Sequence, residues 1–318
     1  MPDLILIYEP DSAQYARIYG EAAARALPAR AILATSSRDE ALARAPEAAV
    51  LIAKAQDVSA ELLGAMHHLQ WIQALTTGID PLLALKLPPS ILVTSARGIH
   101  GPQMAELTIL FMMALARDFP RMLANQREAR WERWSQPLLA GKTAVIVGIG
   151  AISEALAARC KPFGLKTVGI TQRAAVEHFD ELYPRTRLHE AAARADFLVL
   201  LVPYSPETHH LIDASVLEAM KPTAYLINVA RGNVIDESAL IEALRMRRIA
   251  GAGLDVFAQE PLPHTSPLWT LDNVILTPHV GGMSDVYAEQ IVPLLAHNLR
   301  AFAAGDRAAM LNRVELKA

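Results

Sequence analysis

Three short segments late in the 318-residue chain carry residues able to manage charge and protons. Asn228-Val229-Ala230-Arg231-Gly232 closes one apolar run. Asp255-Val256-Phe257-Ala258-Gln259-Glu260-Pro261-Leu262-Pro263 closes the next, and Thr277-Pro278-His279-Val280-Gly281-Gly282 closes the last. Arginine offers a planar fork of donors suited to a carboxylate, and histidine is the side chain that titrates near neutrality. Taken singly, a histidine is more often structural than catalytic, and an Arg–Glu pair is more often a surface feature. Three such groups just past the carboxyl ends of three consecutive strands are another matter, because open α/β sheets bind ligands there. Hydride transfer to a carbonyl needs an anchored anion, a proton donor and a site that excludes water.

A glycine turn lies upstream. The run Ala144–Val147 leads into Gly148-Ile149-Gly150-Ala151-Ile152-Ser153, then a helical pattern to about Lys161, then a second strand at Thr167–Ile170. Strand, turn, helix and strand form the context in which this pattern binds a dinucleotide. Gly148 permits the tight turn. Gly150, with no Cβ, lets the backbone approach a pyrophosphate, and the helix N-terminus presents N–H groups and a positive dipole end. Ser153 replaces the third glycine of the fingerprint, a packing position where a small side chain fits. The second strand runs out as Gly169-Ile170-Thr171-Gln172-Arg173. A carboxylate here would bind a ribose 2′-OH. None is present, and Arg173 can bond a 2′-phosphate instead. The expectation is NADP in preference to NAD; the plainer alternative is a solvated Arg173 and use of either cofactor.

These groups need elements to position them. Short β-rich runs alternate with helical patterns: Leu4–Tyr8, Ala31–Ala34, Val50–Ile52, Trp71–Leu75 and Ile91–Thr94 early on, then Ala144–Val147, Thr167–Ile170, Phe197–Val202, Tyr225–Val229, Ala252–Val256 and Val274–Leu276. Such alternation predicts an α/β fold of βαβ units with parallel sheets. Two long apolar helices, Gln103 to Arg117 and Asp285 to Ala303, flank the six middle strands. The pattern predicts a dinucleotide-binding domain, residues 99–284, inserted into a first domain, residues 1–98 plus 285–318, with a ligand cleft between the two. Met104, Phe111, Met112 and Met113 read as core or subunit packing, Met104 being nearest the expected cleft. Trp131 and Trp134 are placed on a polar helix after the long apolar one, where they reach a substrate pocket or pack at an interface.

Together the segments resemble the D-isomer-specific 2-hydroxyacid dehydrogenase family, and especially its glyoxylate/hydroxypyruvate reductase branch. The resemblance covers nearly the whole chain, and it implies that the inserted domain is a Rossmann domain and that the domain it interrupts is flavodoxin-like and binds the substrate. It includes Thr77-Gly78-Ile79-Asp80, Ala105-Glu106 and Pro203-Tyr204-Ser205-Pro206-Glu207-Thr208. It departs from the family at Ser153 and at Thr171, where an acid is missing. The resemblance implies reduction of a small 2-oxo acid to a D-2-hydroxy acid with NAD(P)H. It implies that His279 is the general acid, that Glu260 orients and charges it, and that Arg231 holds the substrate carboxylate. It also implies that backbone N–H groups near Gly78 and Ile79 bind that carboxylate. For the cofactor it implies Ala151 and Ile152 at the pyrophosphate, and Thr171 and Arg173 at the ribose end. Val202, Pro203 and Thr208 fall near the adenosine half; Val229, Ala230, Asp255 and Gly282 fall near the nicotinamide half, beside Arg231 and His279.

Composition closes off other classes. Net charge is -3 with no long basic run, which argues against nucleic acid or an anionic membrane as partner. One cysteine, Cys160, excludes an intrachain disulfide and a cysteine-based zinc site, and no metal is expected. Met1-Pro2-Asp3 opens straight into a short apolar run without a basic leader, so the expected compartment is the cytoplasm. The apolar helix Leu107–Ala116 and its Trp-bearing extension point to a homodimer. Formate oxidation, on a scaffold that this one resembles, replaces the acidic partner of the histidine by an amide, and Glu260 argues against it. A dinucleotide-sensing corepressor with little turnover is the competing class, separated by an assay of NADPH oxidation with glyoxylate or hydroxypyruvate.

Overall fold

In a computed structural model, residues 3–316 are described; Met1, Pro2, Lys317 and Ala318, which the expected substrate-binding domain includes, lie outside the described residues. The chain divides into two compact units, Met1–Ile99 with Ser284–Ala318, and His100–Met283.

The first unit opens with β1 (Leu4–Tyr8), α1 (Ala13–Ala26), β2 (Ile32–Thr35), α2 (Arg38–Arg44), β3 (Ala48–Ala53), α3 (Ala60–Ala65), β4 (Trp71–Ala74), α4 (Asp80–Ala84) and β5 (Leu92–Thr94). The second unit contains α5 (Gly101–Ala116), α6 (Phe119–Arg127), β6 (Thr143–Val147), α7 (Ala151–Cys160), β7 (Lys166–Ile170), β8 (Glu181–Tyr183), α8 (Leu188–Arg194), β9 (Phe197–Leu200), α9 (Ala214–Ala219), β10 (Tyr225–Asn228), α10 (Glu237–Arg245), β11 (Gly251–Leu254) and β12 (Val274–Leu276). The chain then rejoins the first unit through α11 (Tyr287–Ala303) and β13 (Arg313–Val314).

Each unit is built around one sheet. The first has the order β13-β5-β4-β3-β1-β2, parallel except for the antiparallel β13. Its core is two-sided: Leu4, Leu6 and Tyr8 of β1 pack in one cluster, and Ile5 and Ile7 in the other. Period-2 alternation of side chains puts neighbours on opposite faces, so a run apolar throughout is a strand covered on both sides. The second sheet is seven-stranded, in the order β12-β11-β10-β9-β6-β7-β8. Along β6, Val145 and Val147 join one core while Ala144 and Ile146 join the other with Phe111 and Met112 of α5. The strand order reverses between β6 and β9, the switch point where this doubly wound fold binds dinucleotides.

Three expectations need correction. The second sheet has a seventh strand, β8, which the pattern missed: it is three residues long, lies at the sheet edge and contains Glu181. The two-residue β13 was missed for a similar reason. Trp131 and Trp134 are not helical. Helix α6 ends at Arg127, Ala129 adopts a left-handed φ of 52°, and the chain beyond it is irregular. Trp134 stacks under the Arg121 guanidinium at 4.3 Å, whereas Trp131 is 87% exposed. No helix among the described residues is long and apolar enough to cross a membrane, and none of their His, Cys, Asp and Glu side chains cluster as a metal site. Cys160 is buried, which pushes its thiol up to about 12 and keeps it protonated.

Candidate active site

Arg231, Glu260 and His279 follow three adjacent strands, β10, β11 and β12. Each turn is held by side chains of the same strand ends. After β10, the Ala230 N–H donates to Asn228 Oδ1 at 3.0 Å, and Asn228 Nδ2 donates to the Arg231 carbonyl at 3.0 Å. Asn228 thereby fixes the turn from which Arg231 projects. The Arg231 Nη1 donates to the Ala230 carbonyl at 2.7 Å.

After β11, the Glu260 loop comes back against Arg231's neighbour. A Cβ on Gly232 would lie 1.9 Å from the Phe257 carbonyl carbon and 2.3 Å from Ala258 N. Only glycine permits that approach. The loop is pinned further by two carboxylates: Phe257 N–H donates to Glu260 Oε1 at 3.0 Å, and Ala258 N–H donates to Glu237 Oε2 at 3.0 Å.

After β12, Asp255 organises the turn that carries His279. Its Oδ1 accepts from Thr277 Oγ1 at 2.6 Å and from Val280 N–H at 2.9 Å, and its Oδ2 accepts from Gly281 N–H at 2.8 Å. Asp255 is buried, and three donors offset the cost of desolvating its charge. His279 itself sits at φ 53°, a left-handed conformation that is uncommon for a residue with a Cβ. The bonds from Asp255 to both following N–H groups hold it there. These hydrogen bonds do not bear on the expected nicotinamide contact of Asp255, but they give the residue a local task that its position alone did not disclose.

The result is a histidine–carboxylate pair. His279 Nδ1 lies 2.7 Å from Glu260 Oε2. The hydrogen bond and charge of Glu260 hold the imidazole above its usual pKa, against burial and the nearby Arg231 charge, which both favour the neutral ring. Burial alone would push the Glu260 carboxyl up. The hydrogen bonds from His279 and the Phe257 N–H, with the His279 and Arg231 charges, outweigh it and hold the group below its ordinary value. The pair favours a charged imidazolium bonded through Nδ1, which leaves Nε2 as the second proton-bearing atom. The side chain is half exposed, so that proton can be given away.

The glycine turn fits a dinucleotide. Gly148 has φ +95°, and a Cβ there would meet Val202 Cγ1 at 2.7 Å and Val202 N at 2.8 Å, across the switch point. In front of Gly150 a Cβ would meet nothing within 4 Å, so the backbone is open to an incoming group. Gly150 caps α7, and its N–H donates to Ser153 Oγ at 2.7 Å while Ser153 Oγ donates back to the Gly150 carbonyl at 2.8 Å. Ser153 is buried, as its packing position requires. Ala151 and Ile152 form the first turn of α7, where helix N–H groups lack intrahelical acceptors.

The other expected cofactor residues have defined local roles. Thr171 Oγ1 accepts from Arg173 N–H at 3.1 Å. Thr208 Oγ1 donates to the Pro203 carbonyl at 2.8 Å and accepts from Ser205 N–H at 2.7 Å, closing the loop after β9. Val229 and Ala230 are buried beside Arg231. The Gly282 carbonyl accepts from Gln103 Nε2 at 3.3 Å. In the first unit, Thr76 Oγ1 donates to the Gly78 carbonyl at 2.7 Å, and Ile79 is the residue before α4. Asn228, Gly232 and Glu237 were not expected as site residues. Asn228 and Gly232 lie inside the strand-end segment that carries Arg231, and Glu237 carries only the generic signal of an acid in a helix's first turn.

A Rossmann sheet with a glycine turn at its switch point and an Arg, a Glu and a His at its strand ends defines a nicotinamide-dinucleotide-dependent oxidoreductase. Comparison with known proteins agrees. The profile of the D-isomer specific 2-hydroxyacid dehydrogenase NAD binding domain matches residues 109–281. A glyoxylate reductase of Thermofilum pendens is 35% identical over 292 residues, 88% of this chain and 86% of that one. A D-3-phosphoglycerate dehydrogenase of Methanocaldococcus jannaschii is 32% identical over 86% of this chain, which spans only about half, 53%, of that relative's length. Among solved structures, a D-isomer specific 2-hydroxyacid dehydrogenase family protein from Aeromonas salmonicida superposes with a TM-score of 0.90 at 33% identity, covering 100% of both chains. A D-isomer specific 2-hydroxyacid dehydrogenase from Xanthobacter autotrophicus, in complex with NADPH and MES, gives 0.82 at 28% identity, covering 99% of this chain and 98% of that one. The chain belongs to the D-isomer specific 2-hydroxyacid dehydrogenase family.

Proposed function

We propose that this protein reduces a small 2-oxo acid, of the glyoxylate or hydroxypyruvate type, to the D-2-hydroxy acid, with NADPH preferred over NADH. The observation that carries the reading is the 2.7 Å bond between His279 Nδ1 and Glu260 Oε2 at adjacent strand ends, next to Arg231. A bound dihydronicotinamide supplies hydride. Arg231 holds the substrate carboxylate through its guanidinium and polarises the neighbouring carbonyl. His279, charged through Glu260, donates its Nε2 proton to the carbonyl oxygen as it gains negative charge. The pair is left as neutral imidazole and carboxylate, and is recharged from solvent. Ala151 and Ile152 N–H groups bind the pyrophosphate at the head of α7, and Arg173 bonds the 2′-phosphate. Val202, Pro203 and Thr208 border the adenosine; Val229, Ala230, Asp255 and Gly282 border the nicotinamide. Gly78 and Ile79 N–H groups are assigned to the substrate carboxylate by the family resemblance.

The family relatives support the oxo-acid class: a glyoxylate reductase is 35% identical to this chain. The test is a panel of 2-oxo acids assayed with NADPH and with NADH. Turnover on glyoxylate or hydroxypyruvate supports the reading. Tight dinucleotide binding with negligible turnover on every oxo acid overturns it in favour of a sensing role.

We also assign a second copy of the chain as the partner of the second unit's apolar face. Leu110 and Met113 of α5, Phe119 and Leu123 of α6, and Trp131 in the irregular chain beyond α6 are large apolar side chains exposed on the second unit. Apolar surface of this kind, where it is contiguous, marks interaction sites. A mass in solution equal to one chain removes this assignment.

A further inference from the structure

Arg173 has a partner at the end of β7. Its Nη1 atom lies 2.6 Å from Oε1 of Glu154, an acid in the first turn of α7. The pair therefore ties the strand end that faces a ribose in this fold to the helix whose N-terminus faces a pyrophosphate. Both side chains are substantially exposed, 53% and 40%, so the ion pair itself contributes little to folding. Its placement matters more than its strength.

An acid in a first helical turn interacts favourably with the positive end of the helix dipole, the same field that attracts a phosphate. Glu154 thus competes with phosphate twice, once for the dipole and once for Arg173. Nη1 is engaged, while a guanidinium has further N–H groups to offer. A 2′-phosphate can bond those, but it then lies a few ångström from a carboxylate of like charge. Without a 2′-phosphate, Glu154 neutralises Arg173, and a cofactor ending in a plain 2′-OH meets no unbalanced cation.

We propose that Glu154 is a cofactor-specificity residue: its bond to Arg173 keeps the discrimination between NADPH and NADH smaller than Arg173 alone would set. The proposal rests on Arg173 being the partner of the 2′-phosphate. It predicts an enzyme that uses both cofactors, with a modest preference for NADPH.

Glu154→Gln keeps the size and an oxygen acceptor and removes the charge. The direct test is calorimetric binding of adenosine 2′,5′-bisphosphate and of 5′-AMP to the wild-type chain, Glu154→Gln and Arg173→Ala, with circular dichroism to confirm that each is folded. Glu154→Gln should bind the bisphosphate roughly threefold to tenfold more tightly, with the gain shrinking at high salt. Its affinity for 5′-AMP should rise by less, because the 5′-phosphate meets only the helix-dipole part of the competition and not the part for Arg173. The Michaelis constants for NADPH and NADH should move in the same sense. If Arg173→Ala weakens bisphosphate binding but Glu154→Gln leaves it unchanged or weaker, Glu154 only orients the arginine, and the proposal falls while the cofactor reading stands. If Arg173→Ala has no effect on the bisphosphate, both fall.

Discussion

Gly232 and Phe257 are in contact through their backbones, so close that any Cβ on Gly232 would lie 1.9 Å from the Phe257 carbonyl carbon. The contact holds the Arg231 turn against the loop that ends in Glu260. Gly232→Ala must therefore push the two apart. Overpacking of this kind costs about 1–3 kcal/mol. We expect a lower melting temperature and a loss of kcat/KM for the oxo acid larger than the stability change explains, because both Arg231 and Glu260 shift. Thermal unfolding and steady-state kinetics on the same preparation check it; wild-type kinetics would show that the two turns move independently.

The second prediction concerns pH. His279 is held above its ordinary pKa of about 6.5 by the Glu260 hydrogen bond. With His279 as the proposed acid, reduction needs the imidazolium, so kcat/KM for reduction should persist above that value and fall as pH rises through the raised pKa. Oxidation of the hydroxy acid needs the neutral ring and should gain over the same range. Glu260→Gln removes the charge and keeps the shape, so its reduction limb should move to lower pH. His279→Ala should lose most turnover at every pH. Profiles in both directions decide it: an unmoved limb in Glu260→Gln means that Glu260 does not tune the acid.

Arg231→Lys should not be conservative. Lysine keeps the charge but loses the planar fork that can hold a carboxylate with two parallel bonds. Both the turnover number and the KM for the oxo acid should worsen, and dinucleotide affinity should change little. Near-wild-type kinetics on the oxo acid would remove Arg231 from the substrate site.

Arg173→Ala should shift cofactor choice. Loss of one charge-assisted contact to a 2′-phosphate costs about 1.5–3 kcal/mol, roughly tenfold or more in binding. The KM for NADPH should rise by that factor and the KM for NADH should not. An unchanged ratio would mark Arg173 as a surface charge whose only business is Glu154.

Much of this protein was legible in the one-dimensional pattern. Strands apolar throughout announced sheets covered on both faces, and Gly148 and Gly150 between a strand and a helix announced the dinucleotide turn. Arg231, Glu260 and His279 stood out because each follows a strand, and parallel strands put their carboxyl ends on one edge of the sheet. Short edge strands were not legible: β8 has only three residues, too few for a period to show. The helix expected around Trp131 failed because a polar segment that buries little has no packing to stabilise its helix.

What the sequence determined by itself is the set of chemical groups and the strand end on which each sits. Those follow from local patterns of hydrophobicity and glycine, which act within a few residues. Only the tertiary structure decided which groups meet. Asp255 reaches across to Val280 and Gly281, 25 and 26 residues on, and holds His279 in a left-handed conformation. Gly232 touches Phe257, and Glu154 finds Arg173 across 19 residues. These contacts depend on sheet register and on where α7 lies against β7. Register is fixed by the packing of whole sheet faces, and no local signal in the sequence carries it.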